Sequence, residues 1–282
     1  MQDINIFLAS DDNYAQHLGV VLCSIFENRK DNYVIDIYII DGGLSKESKG
    51  RLEELEEKYN FKIRYLNAKK EIFKNYPKLS HWGDIIYNKL LIDKLLPDLD
   101  KILYLDCDLV VLGDIRELYN TKLEGKLLAA AERSEKEFLK ERVVKDKRIT
   151  SYFNAGVLLF NLKEFRKKKI GKKCLKFIEN NAQEVSYPEQ DALNYVVEDN
   201  FIELAHKYNF LVANPMKKSF KKPFIIHYNS KIKPWHQINI NPYNKYYIKY
   251  LSKSPWKENA KKYKFRGKLR KYIDKVIKFV SN

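Results

Sequence analysis

The chain predicts an α/β protein with a doubly wound sheet, and three observations lead there. Apolar strand-like runs alternate with amphipathic segments through the first hundred residues, the pattern of a doubly wound sheet. A short apolar run, Ile102 to Leu105, ends abruptly in Asp106 and Asp108, as a central strand covered on both faces should end at a ligand site. The chain also has 282 residues with 45% hydrophobic content, enough for one large or two small cores.

The elements follow in order. Ile4 to Ala9 is a first strand, and the polar turn Ser10-Asp11-Asp12-Asn13-Tyr14 leads into a helix with Leu18, Val21, Leu22, Ile25 and Phe26 on one face. Asp36 to Ile40 is a second strand, Asp41-Gly42-Gly43 turns the chain, and Ser45 caps a charged helix displaying Leu52 and Leu55. Phe61 to Leu66 returns as a strand. Asp84 to Leu96 is read as the helix feeding the central strand, stopped by Pro97. Leu127 to Ala131 is a further strand candidate. Glu132 to Lys147 is nearly all charge and reads as a lid or a solvated helix, and the apolar run from Phe153 to Leu162 beyond it as a buried strand in which Gly156 allows close approach. Pro188-Glu189-Gln190-Asp191 opens a helix, with polar side chains beside free N–H groups. Phe224 to Tyr228 is a last strand.

Asp106 and Asp108 carry the most chemistry. Residues i and i+2 of an extended segment point the same way, so both carboxylates approach one divalent cation while Cys107 points elsewhere. Two aspartates that end a strand and cap a turn are the simpler account of a lone Asp-x-Asp, and that alternative stays open on these residues alone.

Composition narrows the setting. Cys23, Cys107 and Cys174 are far apart with no Cys-x-x-Cys, which fits a reducing compartment. No stretch approaches about 18 uninterrupted apolar residues, so a cytoplasmic protein is expected. The formal charge of +16 calls for an anionic partner, and roughly two thirds of the excess lies beyond Asn241. There Phe265, Leu269, Tyr272, Ile273, Val276, Ile277 and Val280 form a helical stripe with Lys268, Lys271, Lys275 and Lys278 off it. A division into a catalytic domain, 1–240, and a basic amphipathic tail, 241–282, is therefore expected. The tail suits peripheral contact with the inner face of an anionic membrane or packing back onto the domain. Nucleic-acid motifs are missing beside it, and no nucleic acid is expected.

Five segments in order, Ala9-Ser10-Asp11-Asp12-Asn13-Tyr14, Tyr104-Leu105-Asp106-Cys107-Asp108, Phe153-Asn154-Ala155-Gly156-Val157, Gln190-Asp191-Ala192-Leu193-Asn194 and His227 through Lys233-Pro234-Trp235, resemble glycosyltransferase family 8. That family of retaining hexosyltransferases includes glycogenin and the bacterial lipopolysaccharide galactosyl- and glucosyltransferases. The resemblance implies a GT-A fold, a Rossmann-like mixed sheet flanked by helices, over about the first 235 residues, with a UDP-hexose donor and Mn²⁺. It also implies roles. Asp106, Asp108 and His227 hold the metal, a mixed O/N set that suits Mn²⁺ better than Mg²⁺. Tyr14 stacks on uracil, with Asp11 and Asn13 at its edge and Ala9, Cys107, Ala155 and Ser230 in the donor-binding wall. Lys89 and Lys233 meet the diphosphate or sugar. Asn154, Glu189, Gln190 and Asp191 form the catalytic and sugar-binding group, with Gln190 beneath the anomeric carbon. Each has a plain alternative: an Asx turn for Asn13, a satisfied core histidine for His227, a solvated lysine for Lys89.

Two positions depart from the family pattern. Glu189 stands where relatives commonly have Asp, lengthening the reach to a sugar hydroxyl and leaving the choice of hexose open. Ser230 stands where they commonly have Gly, so its Cβ crowds a backbone approach to phosphate. The expected activity is transfer of glucose or galactose from a UDP-sugar to a glycan, glycolipid or glycoprotein acceptor. The competing readings are a self-glucosylating, glycogenin-like primer and a catalytically silent binding module for nucleotide-sugar or nucleic acid on the same fold.

Overall fold

The computed structural model describes residues 3–67, 70–74, 76, 83–132, 151–212, 222–236, 241–261 and 263. Its strands are β1 (Ile4–Ser10), β2 (Ile35–Asp41), β3 (Lys62–Asn67), β4 (Lys101–Leu105), β5 (Leu109–Val111), β6 (Leu128–Glu132), β7 (Phe153–Asn161), β8 (Phe201–Leu204), β9 (Phe210–Leu211) and β10 (Ile225–His227). The helices are α1 (Ala15–Glu27), α2 (Lys46–Tyr59), α3 (Ile92–Leu95), α4 (Arg116–Tyr119), α5 (Leu162–Lys167), α6 (Ile170–Asn180), α7 (Pro188–Val197) and α8 (Asn244–Leu251).

The main sheet has the order β3-β2-β1-β4-β7-β6-β8. β3, β2, β1 and β4 run parallel, whereas β7 lies antiparallel to both β4 and β6. Both faces are buried, and the period of two shows where each side chain goes: Ile6, Leu8, Leu103 and Leu105 join one core cluster, Phe7, Ile102 and Tyr104 the other. The mixed sheet flanked by helices is thus the fold class expected from the sequence.

Pairing in the strands is what assembles the site. β4 and β7 hold Leu105 opposite Val157, and the Asp106 N–H donates to the Gly156 carbonyl at 2.9 Å, so Asn154, Ala155 and Gly156 run beside the two aspartates. The last strand expected from the sequence is β10, but it lies in a separate sheet of order β5-β10-β9. There His227 pairs antiparallel with Leu109, and the Tyr228 N–H donates to the Asp108 carbonyl at 2.8 Å. A residue more than a hundred positions downstream is delivered next to Asp108 by that register.

Two expectations change. The segment read as a helix from Asp84 to Leu96 is a 3₁₀ helix over Gly83–Leu91 followed by the single turn α3. The tighter winding stacks Tyr87 and Leu90, both fully buried, at i and i+3. At the other end, α8 is not a surface tail. Tyr247, Tyr250, Leu251, Trp256 and Ala260 are buried in the same cluster as α1, and the Gln16 amide donates to the Tyr247 hydroxyl at 2.9 Å. The Phe265 to Val280 stripe lies outside the described residues, and so does the charged segment beyond Glu132. Among the described residues no helix is long and apolar enough to cross a membrane.

Candidate active site

A cavity of about 310 Å³ opens at the carboxyl ends of β1 and β4, the place where open α/β sheets take their ligands. Ala9, Asp11, Tyr14, Lys89, Asp106, Cys107, Asp108, Asn154, Ala155, Glu189, Gln190, His227 and Ser230 all line it. Three expected members lie outside the lining. Lys233 is buried behind Asp108: Nζ donates to Asp108 Oδ2 at 2.6 Å and to the Tyr228 carbonyl at 2.7 Å. Asn13 is exposed and outside the lining, its amide donating to Asp11 Oδ2 at 3.3 Å. Asp191 also lies outside the lining. Its carboxylate accepts from the Tyr152 hydroxyl at 2.5 Å and from the Ser186 and Tyr187 N–H groups, so it ties down the start of α7.

The metal-ligating geometry is explicit. Asp106, Asp108 and His227 each offer a ligand atom, all within 4.8 Å of one another. His227 Nε2 lies 3.0 Å from Asp108 Oδ1 and 3.6 Å from Asp106 Oδ2, while Nδ1 contacts Asn209 Oδ1 at 2.9 Å. An imidazole with Nδ1–H given to an amide carbonyl presents its Nε2 lone pair to two carboxylates, and a cation among the three relieves that crowding of acceptors. Gly156 keeps the space clear: a Cβ there would come within 2.2 Å of His227 Cε1 and 2.6 Å of Asp106 Oδ2. Two oxygens and one nitrogen converging on cleared space fit a divalent transition ion such as Mn²⁺.

Second partners fix the carboxylates. The Tyr104 hydroxyl donates to Asp106 Oδ1 at 2.6 Å. Burial works to raise the Asp108 carboxyl, yet Lys233 and then His227 hold it well below the usual carboxylate range. Lys89, 2% exposed, donates to the Ala155 carbonyl and sits 3.6 Å from Asp106 Oδ1, 3.7 Å from Glu189 Oε1 and over the Tyr104 ring. It is therefore a buried cation on the cavity wall and not a solvated lysine. Glu189 Oε2 is buried without a hydrogen-bond partner, and burial pushes that carboxyl up.

The sugar-binding candidates form one network. Gln190 Oε1 accepts from Asn154 Nδ2 at 3.0 Å and from the Ala155 N–H at 2.9 Å, and Gln190 Nε2 donates to the Tyr152 hydroxyl at 2.8 Å. The side chain that caps the first loop is that of Asp11 and not Asn13: Asp11 Oδ1 accepts from the Tyr14 N–H at 3.1 Å. It leaves Tyr14 half-buried, edge-on to Trp235 and His17. Ser230 has no positive φ, so its side chain costs nothing in the backbone, and its hydroxyl turns to the Ile232 carbonyl at 2.7 Å. Sequence reasoning passed over Ile85, Ile86, Tyr187 and Asn229 in the lining and Asn209 behind His227. Isolated residues of these types carry no motif.

The chain is similar in sequence and in fold to known proteins. General stress protein A of Bacillus subtilis (strain 168) is 30% identical over 272 residues, covering 90% of this chain and 94% of that protein. The lipopolysaccharide 1,2-glucosyltransferase of Escherichia coli (strain K12) is 29% identical over 91% of this chain and 80% of its own length. The structure of the galactosyltransferase LgtC in complex with donor and acceptor sugar analogs superposes with a TM-score of 0.78 at 25% identity, over 91% of this chain and all of that one. The fold is accordingly of GT-A type. The model of glycosyl transferase family 8 matches residues 5–239, which contain every element of the cavity, and the chain belongs to that family.

Proposed function

We propose that the protein is a Mn²⁺-dependent retaining hexosyltransferase that moves glucose or galactose from a UDP-sugar to a glycan or glycolipid acceptor. The observation that carries the reading is the convergence in one cavity of the Asp106, Asp108 and His227 ligand atoms with the Asn154–Gln190 amide pair. Relatives named as a lipopolysaccharide glucosyltransferase and a galactosyltransferase support a hexose donor of this kind.

Each residue then has a task. Asp106, Asp108 and His227 would hold a divalent ion, which when bound would supply positive charge beside the diphosphate of the leaving group. Lys233 and Lys89 add cationic hydrogen-bond donors on the same side, where negative charge develops. Tyr14 offers its ring to uracil, and Asp11 an acceptor to its edge. Glu189 meets a sugar hydroxyl through Oε2, the oxygen without a partner inside the protein.

Gln190 holds the sugar near the anomeric carbon but does not attack it. Its carbonyl oxygen already accepts two hydrogen bonds, and a neutral amide is a poor nucleophile. The bond from the anomeric carbon to UDP breaks and the bond to the acceptor oxygen forms on the same face, with the acceptor proton passing to the departing UDP oxygen. The configuration is retained without a covalent sugar–enzyme intermediate.

The basic sequence beyond Tyr263 brings this chemistry to an anionic membrane carrying the acceptor, each lysine near such a surface adding roughly 1 kcal/mol before screening. A UDP-release screen of UDP-glucose, UDP-galactose and N-acetylated donors, with and without Mn²⁺, tests the function. Mn²⁺-dependent release from a hexose donor is expected. Release that EDTA leaves undiminished contradicts it.

A further inference from the structure

Asn209 is 3% exposed and touches both halves of the cavity without lining it. Its Oδ1 faces His227 Nδ1 at 2.9 Å and its Nδ2 donates to Asn154 Oδ1 at 2.9 Å. The polarity of this chain is set by backbone groups that cannot reverse. The Ala155 N–H donates, so the Gln190 atom beside it is Oε1. Asn154 then turns its Nδ2 to Gln190 and its Oδ1 to the Gly156 N–H at 3.0 Å. Asn209, meeting that oxygen, turns its amide N–H₂ to it and its own carbonyl to His227. Position and direction both follow from the strands: Asn209 directly precedes β9, and β9 pairs with β10 so that His227 stands beside Leu211.

We propose that Asn209 is a positioning residue that fixes the Nδ1–H tautomer of His227, so that Nε2 is the metal-binding nitrogen, and that locks this choice to the orientation of the Asn154 and Gln190 amides. The inference rests on the metal and sugar assignments above. Its consequence is that the amides on the sugar side and the metal ligand share one hydrogen-bond direction. Reversing one member alone sets donor against donor or acceptor against acceptor at its neighbours, a cost on the order of 1–3 kcal/mol per buried group left unpaired. Partners of this kind behind a ligating histidine are commonly worth 10–100-fold in metal affinity.

The test titrates Mn²⁺ into the full chain with UDP present, reading free Mn²⁺ by electron paramagnetic resonance, for the wild type, Asn209→Asp and Asn209→Leu. Aspartate keeps an acceptor for His227 Nδ1–H but cannot donate to Asn154; leucine does neither. Asn209→Leu should weaken Mn²⁺ binding on the order of 10–100-fold, and Asn209→Asp by no more than about threefold while kcat still falls by about tenfold or more. If leucine prevents folding, judged by the metal-free unfolding midpoint, Asn209→Ser replaces it with the same expectation. Unchanged Mn²⁺ affinity in the leucine or serine variant, or equal losses in the aspartate and apolar variants, overturns the inference. A wild type that binds no Mn²⁺ with UDP overturns the metal assignment itself, and this inference with it.

Discussion

Gly156→Ala separates the site from the fold more cleanly than removal of any ligand. Gly156 lies in β7 with ordinary extended backbone, since it has no positive φ, so alanine meets no backbone strain there. The obstacle is entirely in the cavity. An added Cβ would lie 2.2 Å from His227 Cε1, against 3.4 Å for ordinary contact, so the imidazole or the strand moves by about 1.2 Å. A misplacement of about 1 Å at a reacting centre costs on the order of 100-fold, or about 3 kcal/mol of transition-state stabilisation. Overpacking of this kind costs about 1–3 kcal/mol in stability, which leaves a folded protein with a damaged metal site. Gly50→Ala, in α2 with nothing within 4 Å of the new Cβ, is the matched control and should be as active as wild type and no less stable. UDP release and thermal unfolding are measured on all three proteins. Wild-type turnover in a folded Gly156→Ala protein refutes the reasoning, because the three ligand atoms would then not share the space that the glycine clears.

Four further outcomes rest on contacts at Gln190, at His17 and toward the chain's end. Gln190→Ala should lower kcat strongly with UDP affinity near wild type, as isothermal titration with UDP and Mn²⁺ can check; a parallel fall in both would place Gln190 in the nucleotide pocket. His17 stacks on Trp235 at 3.5 Å and meets the Tyr247 hydroxyl, and burial pushes its pKa down to about 3. The folded state thus keeps it neutral while the unfolded chain takes up a proton below about 6.5, so stability is full above that pH and declines as the pH falls toward 3, by at most about 5 kcal/mol over the roughly 3.5 units. His17→Phe should flatten the acid limb of unfolding against pH, and an unaltered limb would show that other groups set it. Truncation after Tyr263 should leave a folded enzyme without salt-sensitive sedimentation on anionic liposomes. Truncation after residue 240 should unfold it, since the loss of buried Tyr247, Tyr250 and Trp256 at about 3–5 kcal/mol each is as large as a typical total stability of about 5–15 kcal/mol. A Tyr263 truncation that sediments like the full chain would remove the membrane role from the tail.

Legibility in the sequence followed the range of the interactions. β1 to β4 were readable because each is a local apolar run with its own turn signals, and Asp106 with Asp108 because i and i+2 share a face without help from elsewhere. The antiparallel insertion of β7 and the second sheet were not readable. Nothing local tells Ile225–His227 to pair with Leu109–Val111, yet that register makes His227 a neighbour of Asp108. Motif resemblance supplied the neighbour where physics from sequence alone left a lone histidine. The same resemblance grouped Asp191 with the sugar-binding residues, although its carboxylate is taken up by Tyr152 and the backbone of the α7 entry. The charge of the chain's end masked α8, whose buried tyrosines alternate with exposed or half-exposed lysines and so read as part of a basic tail. Asn209 left no trace because a single asparagine with no motif around it reads as a turn residue.

Joint binding of the ion by Asp106, Asp108 and His227 can be seen in crystals grown with Mn²⁺ and UDP and measured at the manganese absorption edge. One anomalous peak is expected at coordination distance from a carboxylate oxygen of each aspartate, from His227 Nε2 and from the diphosphate. A peak elsewhere in the cavity, ligation through His227 Nδ1, or ordered UDP with no peak among the three residues would contradict it.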